Sequence, residues 1–227
     1  MSDYNAHWEE KFSSRAWGRY PPEDLVRFVG RHFPADSRKQ MKALELGCGP
    51  GANLWFLHRE GFSVAGIDSS STAIAIAGER LLSENQGIND TAPDLRAGNF
   101  AALEWKDASF DLAVDIFAIY ANTLTVMDSA ISEIYRVLKP GAFFYSKLWG
   151  RETEGFGKGD KLEEATYKDI PTGPCADMGV AHFFNASEIE SVFSRFEIIT
   201  IDRVQRSDNE KGLPMIEEFH CQFRKSE

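Results

Sequence analysis

The sequence contains few cysteines and no metal-binding pattern. Its three cysteines, Cys48, Cys175 and Cys221, are odd in number and widely spaced among 227 residues, with no CxxC pair and no histidine at ligand spacing. A disulfide framework and a structural zinc site are therefore not indicated, and we expect no metal. This use of cysteine indicates a reducing, cytoplasmic setting.

Positive charge and long apolar runs are also scarce. There are 25 Lys and Arg against 35 Asp and Glu, which leaves a formal net charge of -10. Such a field repels polyphosphate backbones and anionic lipid headgroups, so neither nucleic acid nor membrane is expected as a partner. The most apolar stretch, residues 110–127, is interrupted by Asp111, Asp115 and Asn122, and residues 1–12 are polar. We therefore expect neither a membrane segment nor a leader.

The remaining composition suits one globular domain. Hydrophobic residues make up 43% and charged residues 26%. A chain of this composition and length can bury a sizeable core without disulfide bonds. We expect a single domain over residues 1–227. Within it we distinguish an N-terminal helical cover, residues 1–40, a core, residues 42–148, and an insert, residues 149–181.

Short apolar runs alternate with helical patterns through the core. They predict strands at residues 42–46, 62–68, 95–98, 110–117 and 142–148. This alternation predicts an α/β fold, with a parallel sheet covered by helices on both faces. In the tail, two alternating runs at 196–204 and 217–223 predict an antiparallel pair. The insert shows no clear periodicity, and a connection of this length is typically functional or mobile.

A glycine-rich turn follows the first strand. Gly47, Gly49 and Gly51 allow a ligand to approach the backbone closely, and Asp68 at the end of the second strand is placed to accept hydrogen bonds from ribose hydroxyls. A nucleoside-containing cofactor is implied. A nicotinamide dinucleotide is disfavoured because the third glycine comes one residue early and because Glu45 would repel a pyrophosphate. The same carboxylate favours a nucleoside that carries a positively charged sulfonium.

Four stretches of the core resemble the class I S-adenosylmethionine-dependent methyltransferases, in particular small-molecule, type 11-like members. In order they are residues 45–51, 65–68, 110–112 and 136–141, and the resemblance extends over residues 42 to about 148. It implies a Rossmann-like, seven-stranded, mostly parallel sheet with an antiparallel C-terminal edge hairpin and helices on both faces. It also implies S-adenosyl-L-methionine as the cofactor.

The resemblance further implies roles for individual residues. The glycines would pass beside the methionine part of the cofactor, Asn99 and Phe100 would meet adenine where the family often has an acid, and residues 115–117 would lie under the methyl group. Arg19 is a candidate for the cofactor's carboxylate, with a solvated surface arginine as the alternative. The full cofactor-binding set is Arg19, Glu45, Gly47, Cys48, Gly49, Gly51, Asp68, Ser69, Asn99, Phe100, Asp115, Ile116 and Phe117.

Two other features are weaker candidates for chemistry. Pro174-Cys175 resembles a nucleophilic pair found in cytosine-C5 methyltransferases, but it lies in the insert, after the fifth strand rather than the fourth. His182 is a candidate general base, although a histidine that packs at a loop end is the better interpretation. We therefore assign no catalytic side chain, and in-line methyl transfer does not require one.

The sequence thus predicts an S-adenosylmethionine-dependent methyltransferase acting on a small-molecule acceptor. The alternative is a regulatory module that binds the cofactor without turnover. We expect the insert to act as a lid over the acceptor. The acceptor, the atom that is methylated, any general base and the oligomeric state are left open by the sequence.

Overall fold

The computed structural model describes residues 3–85, 87, 89–208 and 213–227. Its strands are β1 (Lys42–Leu46), β2 (Ser63–Asp68), β3 (Asp94–Ala97), β4 (Phe110–Ile116), β5 (Leu138–Trp149), β6 (Asp160–Glu163), β7 (Thr166–Lys168), β8 (Ala181–His182), β9 (Glu197–Asp208) and β10 (Leu213–Arg224). Its helices are α1 (Asp3–Ser14), α2 (Glu23–His32), α3 (Ala52–Arg59), α4 (Ser71–Ser83), α5 (Leu124–Val137) and α6 (Ala186–Val192).

Seven strands form the main sheet, in the order β3-β2-β1-β4-β5-β10-β9. The first five are parallel, whereas β10 pairs antiparallel with both β5 and β9. The order reverses at β1, because the chain runs outward through β2 and β3 and then returns to β4 on the other side. This arrangement confirms the predicted Rossmann-like fold with its C-terminal edge hairpin.

Each face of the sheet buries its own apolar cluster. On one face, Leu25 and Phe28 of α2 pack with Leu54 of α3 against Val64 and Val114. On the other, α5 and α6 pack through residues such as Met127, Ile134 and Ile189 against the opposite side chains of the same strands. Helices therefore cover both faces, as a parallel sheet requires.

The insert has more regular structure than its sequence indicates. It contributes β6, β7 and β8, which form a separate three-stranded antiparallel sheet. These strands are two to four residues long, which is too short for an alternating pattern to stand out. Glu217 fixes the beginning of the insert, because its Oε2 accepts a hydrogen bond from the Glu152 amide at 2.9 Å and its carbonyl accepts one from Thr153 Oγ1 at 2.8 Å.

The helices of this domain are short. None of those in the described part of the chain is both long and apolar enough to cross a bilayer. The longest, α5, has 14 residues.

Candidate functional site

A cavity of about 660 Å³ opens where the parallel strands end. Its wall is formed by residues at the carboxyl ends of β1, β2, β4 and β5 and in the turn after β3. Open α/β sheets bind their ligands at this edge. Ten of the thirteen predicted residues line it: Glu45, Gly47, Cys48, Gly49, Asp68, Ser69, Asn99, Phe100, Ile116 and Phe117. The structure does not bring Arg19, Gly51 or Asp115 to this wall.

The three glycines of the first turn all have left-handed backbone conformations, with φ of 57° at Gly47, 49° at Gly49 and 79° at Gly51. A side chain at Gly47 would overlap the methyl group of Ala118, and one at Gly49 would come within 3.3 Å of the Phe12 ring. The sequence suggested that glycine is needed to make room for a ligand. The structure shows that neighbouring protein side chains already occupy the space into which these Cβ atoms would point.

The Asp68 carboxylate fixes the glycine turn to the end of β2. Its Oδ2 accepts a hydrogen bond from the Gly49 amide at 2.8 Å, and its Oδ1 accepts one from the Ser70 amide at 2.9 Å. Burial raises the pKa of Asp68 above its usual value, and the two amides act against that shift. The side chain still lines the cavity, so it is both a support of the turn and a candidate ligand.

Glu45 is a buried acid whose hydrogen bonding is incomplete. Its Oε1 accepts a hydrogen bond from Asn53 Nδ2 at 2.6 Å, whereas its Oε2 is buried without a partner among the described residues. Burial raises the pKa of Glu45 to about 8, and Asp68 and Asp115 add to the shift. A positively charged ligand group would supply the missing partner and stabilise the ionised form.

Asp115 lies behind the wall and supports the turn after β4. Its Oδ1 accepts hydrogen bonds from the amides of Ala118 and Ile119 at 2.9 and 3.0 Å, and its Oδ2 accepts one from Ser146 Oγ at 2.6 Å. It is fully buried, which raises its pKa to about 6. Asp115 thus supports the wall from behind and does not itself line the cavity.

Arg19 lies outside the cavity. Its guanidinium is 64% exposed and forms an ion pair with Glu84 at 2.5 Å, beside the end of α4. Arg19 is therefore a surface arginine, which was the alternative interpretation of its role in the sequence analysis. Gly51, the third glycine of the turn, also lies outside the wall, where it is the N-cap of α3 and faces Ala77 of α4.

Three aromatic side chains form what we call the aromatic corner: Phe117, Tyr120 and Trp149. The rings of Phe117 and Trp149 stack with centroids 4.0 Å apart and planes 13° apart, and Tyr120 lies nearly perpendicular to both at 6.2 Å. Phe117 has a φ of 55°, a strained value for a residue with a side chain. Sequence analysis missed Tyr120 and Trp149, although the position of Trp149 at the end of a predicted parallel strand was a usable signal.

The cavity is roofed by the N-terminal segment and by one end of the insert. Trp8, Phe12 and Trp17 line it on one side, and Pro174, Met178 and Val180 of the segment 174–180 line it on the other. The carboxylate of Glu9 attaches α1 to the beginning of α4, where it accepts a hydrogen bond from Ser70 Oγ at 2.6 Å and another from Thr72 Oγ1. These hydrogen bonds lower the pKa of Glu9.

The reactive groups of the two weaker candidates, the Cys175 thiol and the His182 imidazole, lie outside the wall. His182 is fully buried, with Nδ1 2.7 Å from Thr166 Oγ1 and Nε2 3.2 Å from Glu188 Oε1. Burial raises the thiol pKa of Cys175 to about 12, which is opposite to what a nucleophile requires. Both residues support the packing of the insert.

Comparisons with known proteins agree with this geometry. A family model described as a methyltransferase domain matches residues 43–141. A sterol 24-C-methyltransferase of Yarrowia lipolytica is 32% identical over 78% of the chain and 49% of its own length. A tRNA N(3)-methylcytidine methyltransferase of Schizosaccharomyces pombe is 27% identical over 55% of the chain and 44% of its own. The chain thus spans about half the length of the curated relatives it matches.

A solved structure is similar over nearly the whole chain. It is an S-adenosylmethionine-dependent methyltransferase from Methanosarcina mazei, 26% identical, with a TM-score of 0.69 over 88% of this chain and 97% of that one. The fold and the cavity define a Rossmann-like domain for a nucleoside ligand. More particularly, the chain carries a class I S-adenosylmethionine-dependent methyltransferase domain. The predicted family, fold and cofactor class are confirmed.

The residues of the cavity fit this cofactor. The buried, unpartnered oxygen of Glu45 suits its positively charged amino or sulfonium group, and Asp68 suits its ribose hydroxyls. Phe100 supplies an apolar surface suited to adenine, and Asn99 lies beside it in the wall. Among the residues that the structure describes, no group of three metal-ligating side chains comes together.

Proposed function

We propose that this protein transfers a methyl group from S-adenosylmethionine to a small-molecule acceptor held in the 660 Å³ cavity. One observation carries the proposal: a single cavity joins the glycine turn, with Glu45 and Asp68, to the aromatic corner. Both ligands would therefore share one cavity. When bound, the cofactor supplies an electrophilic methyl group on a positively charged sulfur.

The residues of the chain would act by binding, alignment and exclusion of water. Asp68 would hold the ribose, Glu45 a cationic group of the cofactor, and Asn99 with Phe100 the adenine. The apolar wall would keep water from the reacting atoms, and a dry pocket favours a reaction in which charge is dispersed. Alignment of the two reactants supplies much of the rate in such a displacement.

A small acceptor is favoured over a macromolecule by enclosure and charge. The roof of α1 and residues 174–180 lies over the cavity, and the net charge of -10 disfavours a polyanion. The sterol methyltransferase among the relatives acts on a small apolar molecule, whereas another relative is named for tRNA. An acceptor assay with transfer RNA beside small molecules would test this choice directly.

The alternative is a module that binds the cofactor without turnover. In such a module we would expect side chains to fill the space beyond the cofactor. Here the cavity continues past the glycine turn to Tyr120, Val126 and Trp149, which leaves room for a second ligand. This observation favours the enzyme.

We also propose that the lid is smaller than the whole insert. Glu217 fixes the start of the insert, and its end is fixed by a hydrogen bond from the His182 amide to the Tyr120 carbonyl at 2.8 Å. The segment 174–180 lies between these anchors and contacts the residue that follows α1, since Arg15 Nη2 is 3.5 Å from Met178 Sδ. Opening would therefore involve this segment and α1. The cytoplasmic location stays a prediction.

A two-stage experiment tests the proposed function. Calorimetry with S-adenosylhomocysteine, with NAD as a control ligand, tests the cofactor site. An acceptor screen that measures S-adenosylhomocysteine formation then tests turnover. Binding followed by turnover with a small acceptor supports the proposal, binding without turnover across a broad library supports the regulatory module, and preferential turnover of transfer RNA would overturn the small-molecule assignment.

A further inference from the structure

The part of the cavity beyond the glycine turn has a definite shape and charge. The aromatic corner provides three rings, two stacked and one perpendicular to them. Around it the lining is aliphatic, with Val126, Met178 and Val180 among the contributors. Flat rings pack against such surfaces in offset-stacked or edge-to-face arrangements, which a puckered ring does not reproduce.

The aromatic corner is held rigidly. Asp115 accepts hydrogen bonds from the two amides that follow Phe117, and it is itself fixed by Ser146. On the other side, the methyl group of Ala118 packs where a Cβ of Gly47 would be. The rings are therefore held beside the glycine turn, where an acceptor must lie to meet the cofactor.

The charges in the cavity have one sign. Among the described residues that line it, Glu45 and Asp68 bear carboxyl groups, and none bears a positive charge. An anionic acceptor would enter this space without a guanidinium, ammonium or imidazolium partner in the described wall, at a substantial desolvation cost. An uncharged acceptor avoids that cost.

One polar group in the aromatic corner lacks a partner. Trp149 Nε1 is buried and makes no hydrogen bond within the described part of the chain. A buried indole N–H normally has an acceptor. A hydroxyl or carbonyl oxygen attached to a ring would provide one.

From these observations we infer that the acceptor is an uncharged, planar ring compound with an oxygen substituent, packed against Phe117, Tyr120 and Trp149. This inference rests on the proposed function and narrows it to a substrate class. The ring is selected by shape, and anionic analogues of the same ring are rejected because the described wall offers them no positively charged partner and places the Asp68 carboxylate nearby.

Three probes of matched skeleton test the inference. They are 2-naphthol, which is planar and uncharged, 2-naphthoate, which is planar and anionic at pH 7.5, and decahydro-2-naphthol, which is uncharged and puckered. Each is titrated by calorimetry into the protein alone and into the protein saturated with S-adenosylhomocysteine. We expect 2-naphthol to bind at least tenfold more tightly than either of the others.

Variants locate the binding in the aromatic corner. Trp149→Leu should weaken 2-naphthol binding at least fivefold, while Trp149→Phe, which keeps a ring but loses the indole N–H, should weaken it by a smaller factor. The matched control is Trp55→Leu, which removes a tryptophan that packs against Tyr20 and does not line the cavity. It should leave 2-naphthol binding unchanged, and circular dichroism and S-adenosylhomocysteine affinity report whether each variant is folded.

The outcomes separate this inference from the proposed function. Equal or tighter binding of 2-naphthoate, equal binding of decahydro-2-naphthol, no binding of any probe, or an unchanged affinity in folded Trp149→Leu would each overturn the inference. Failure of S-adenosylhomocysteine to bind overturns the proposed function instead. In that case, the titrations of the three probes into the protein alone still test whether the aromatic corner prefers an uncharged planar ring.

Discussion

The two ends of the cavity are built in different ways. The cofactor end comes from one short segment, residues 45–51, together with Asp68, and much of its shape is set by the backbone. The acceptor end combines side chains that are far apart in the chain, from Trp8 to Val180. A local, backbone-defined site leaves a motif in the sequence, whereas an assembled one becomes visible only when the chain is folded.

The largest expected effect comes from Gly47→Ala, because it disturbs both ends. The new Cβ would adopt an unfavourable positive φ and overlap the methyl of Ala118. We expect the free energy of unfolding to fall by about 2 to 5 kcal/mol and cofactor binding to be lost. Urea unfolding and calorimetry with S-adenosylhomocysteine measure the two effects.

Gly30→Ala is the matched control. Gly30 lies in α2 with a negative φ and open space around its Cα, so alanine there should stabilise the helix by about 0.5 to 1 kcal/mol. A Gly47→Ala protein that is as stable as the parent and binds S-adenosylhomocysteine equally well would show that the turn tolerates a side chain.

Asp68→Ala should affect the cofactor end alone. It removes two charge-assisted hydrogen bonds, one from the Gly49 amide in the turn and one from the Ser70 amide before α4, each worth about 1.5 to 3 kcal/mol, as well as the predicted bonds to the ribose. We expect the affinity for S-adenosylhomocysteine to fall by more than tenfold, with binding of 2-naphthol to the ligand-free protein unchanged. Unchanged S-adenosylhomocysteine affinity would remove Asp68 from the site, and a parallel loss of 2-naphthol binding would show that the two ends are not independent.

The pH dependence of cofactor binding should report the ionisation of the Glu45 carboxyl group. Because the pKa of Glu45 is raised to about 8, this group is mostly protonated in the ligand-free pocket at pH 7. A cationic ligand group favours the ionised form, so affinity should rise with pH, by up to about tenfold per pH unit, and level off above pH 8. Calorimetry in buffers of different ionisation enthalpy would also detect the proton released.

Glu45→Gln is the control for that dependence. It keeps an acceptor for Asn53 but cannot ionise, so the rise in affinity between pH 6 and 8 should disappear. A parent protein whose affinity is flat over this range would contradict the assignment of a cationic ligand group to Glu45.

The smallest expected effect concerns the attachment of the roof. Glu9→Gln weakens the hydrogen bonds to Ser70 and Thr72, and amide exchange in α1 should become several-fold faster while the sheet is unaffected. Glu10→Gln changes the adjacent exposed position and should have no effect. Equal exchange in the two variants would show that Glu9 does not hold α1.

Periodicity and motifs predicted the sheet and the cofactor end because both depend on local sequence. Asp68 and the glycines could be placed from their spacing after predicted strands. Arg19 could not, since its pairing with Glu84 of the segment after α4 depends on how α1 and the following loop lie across the surface. Tyr120 and Trp149 were missed because their meeting requires the register between β4 and β5.

The contact between Ala118 and Gly47 also limits how this chain can diverge. Position 118 belongs to the cavity wall, and its methyl group packs where a Cβ of Gly47 would lie. A larger residue there would displace the turn and with it the cofactor, while positions such as 126 and 178 can change size without touching that turn. Related enzymes that take up new acceptors should therefore vary at the latter positions and keep a small residue at 118.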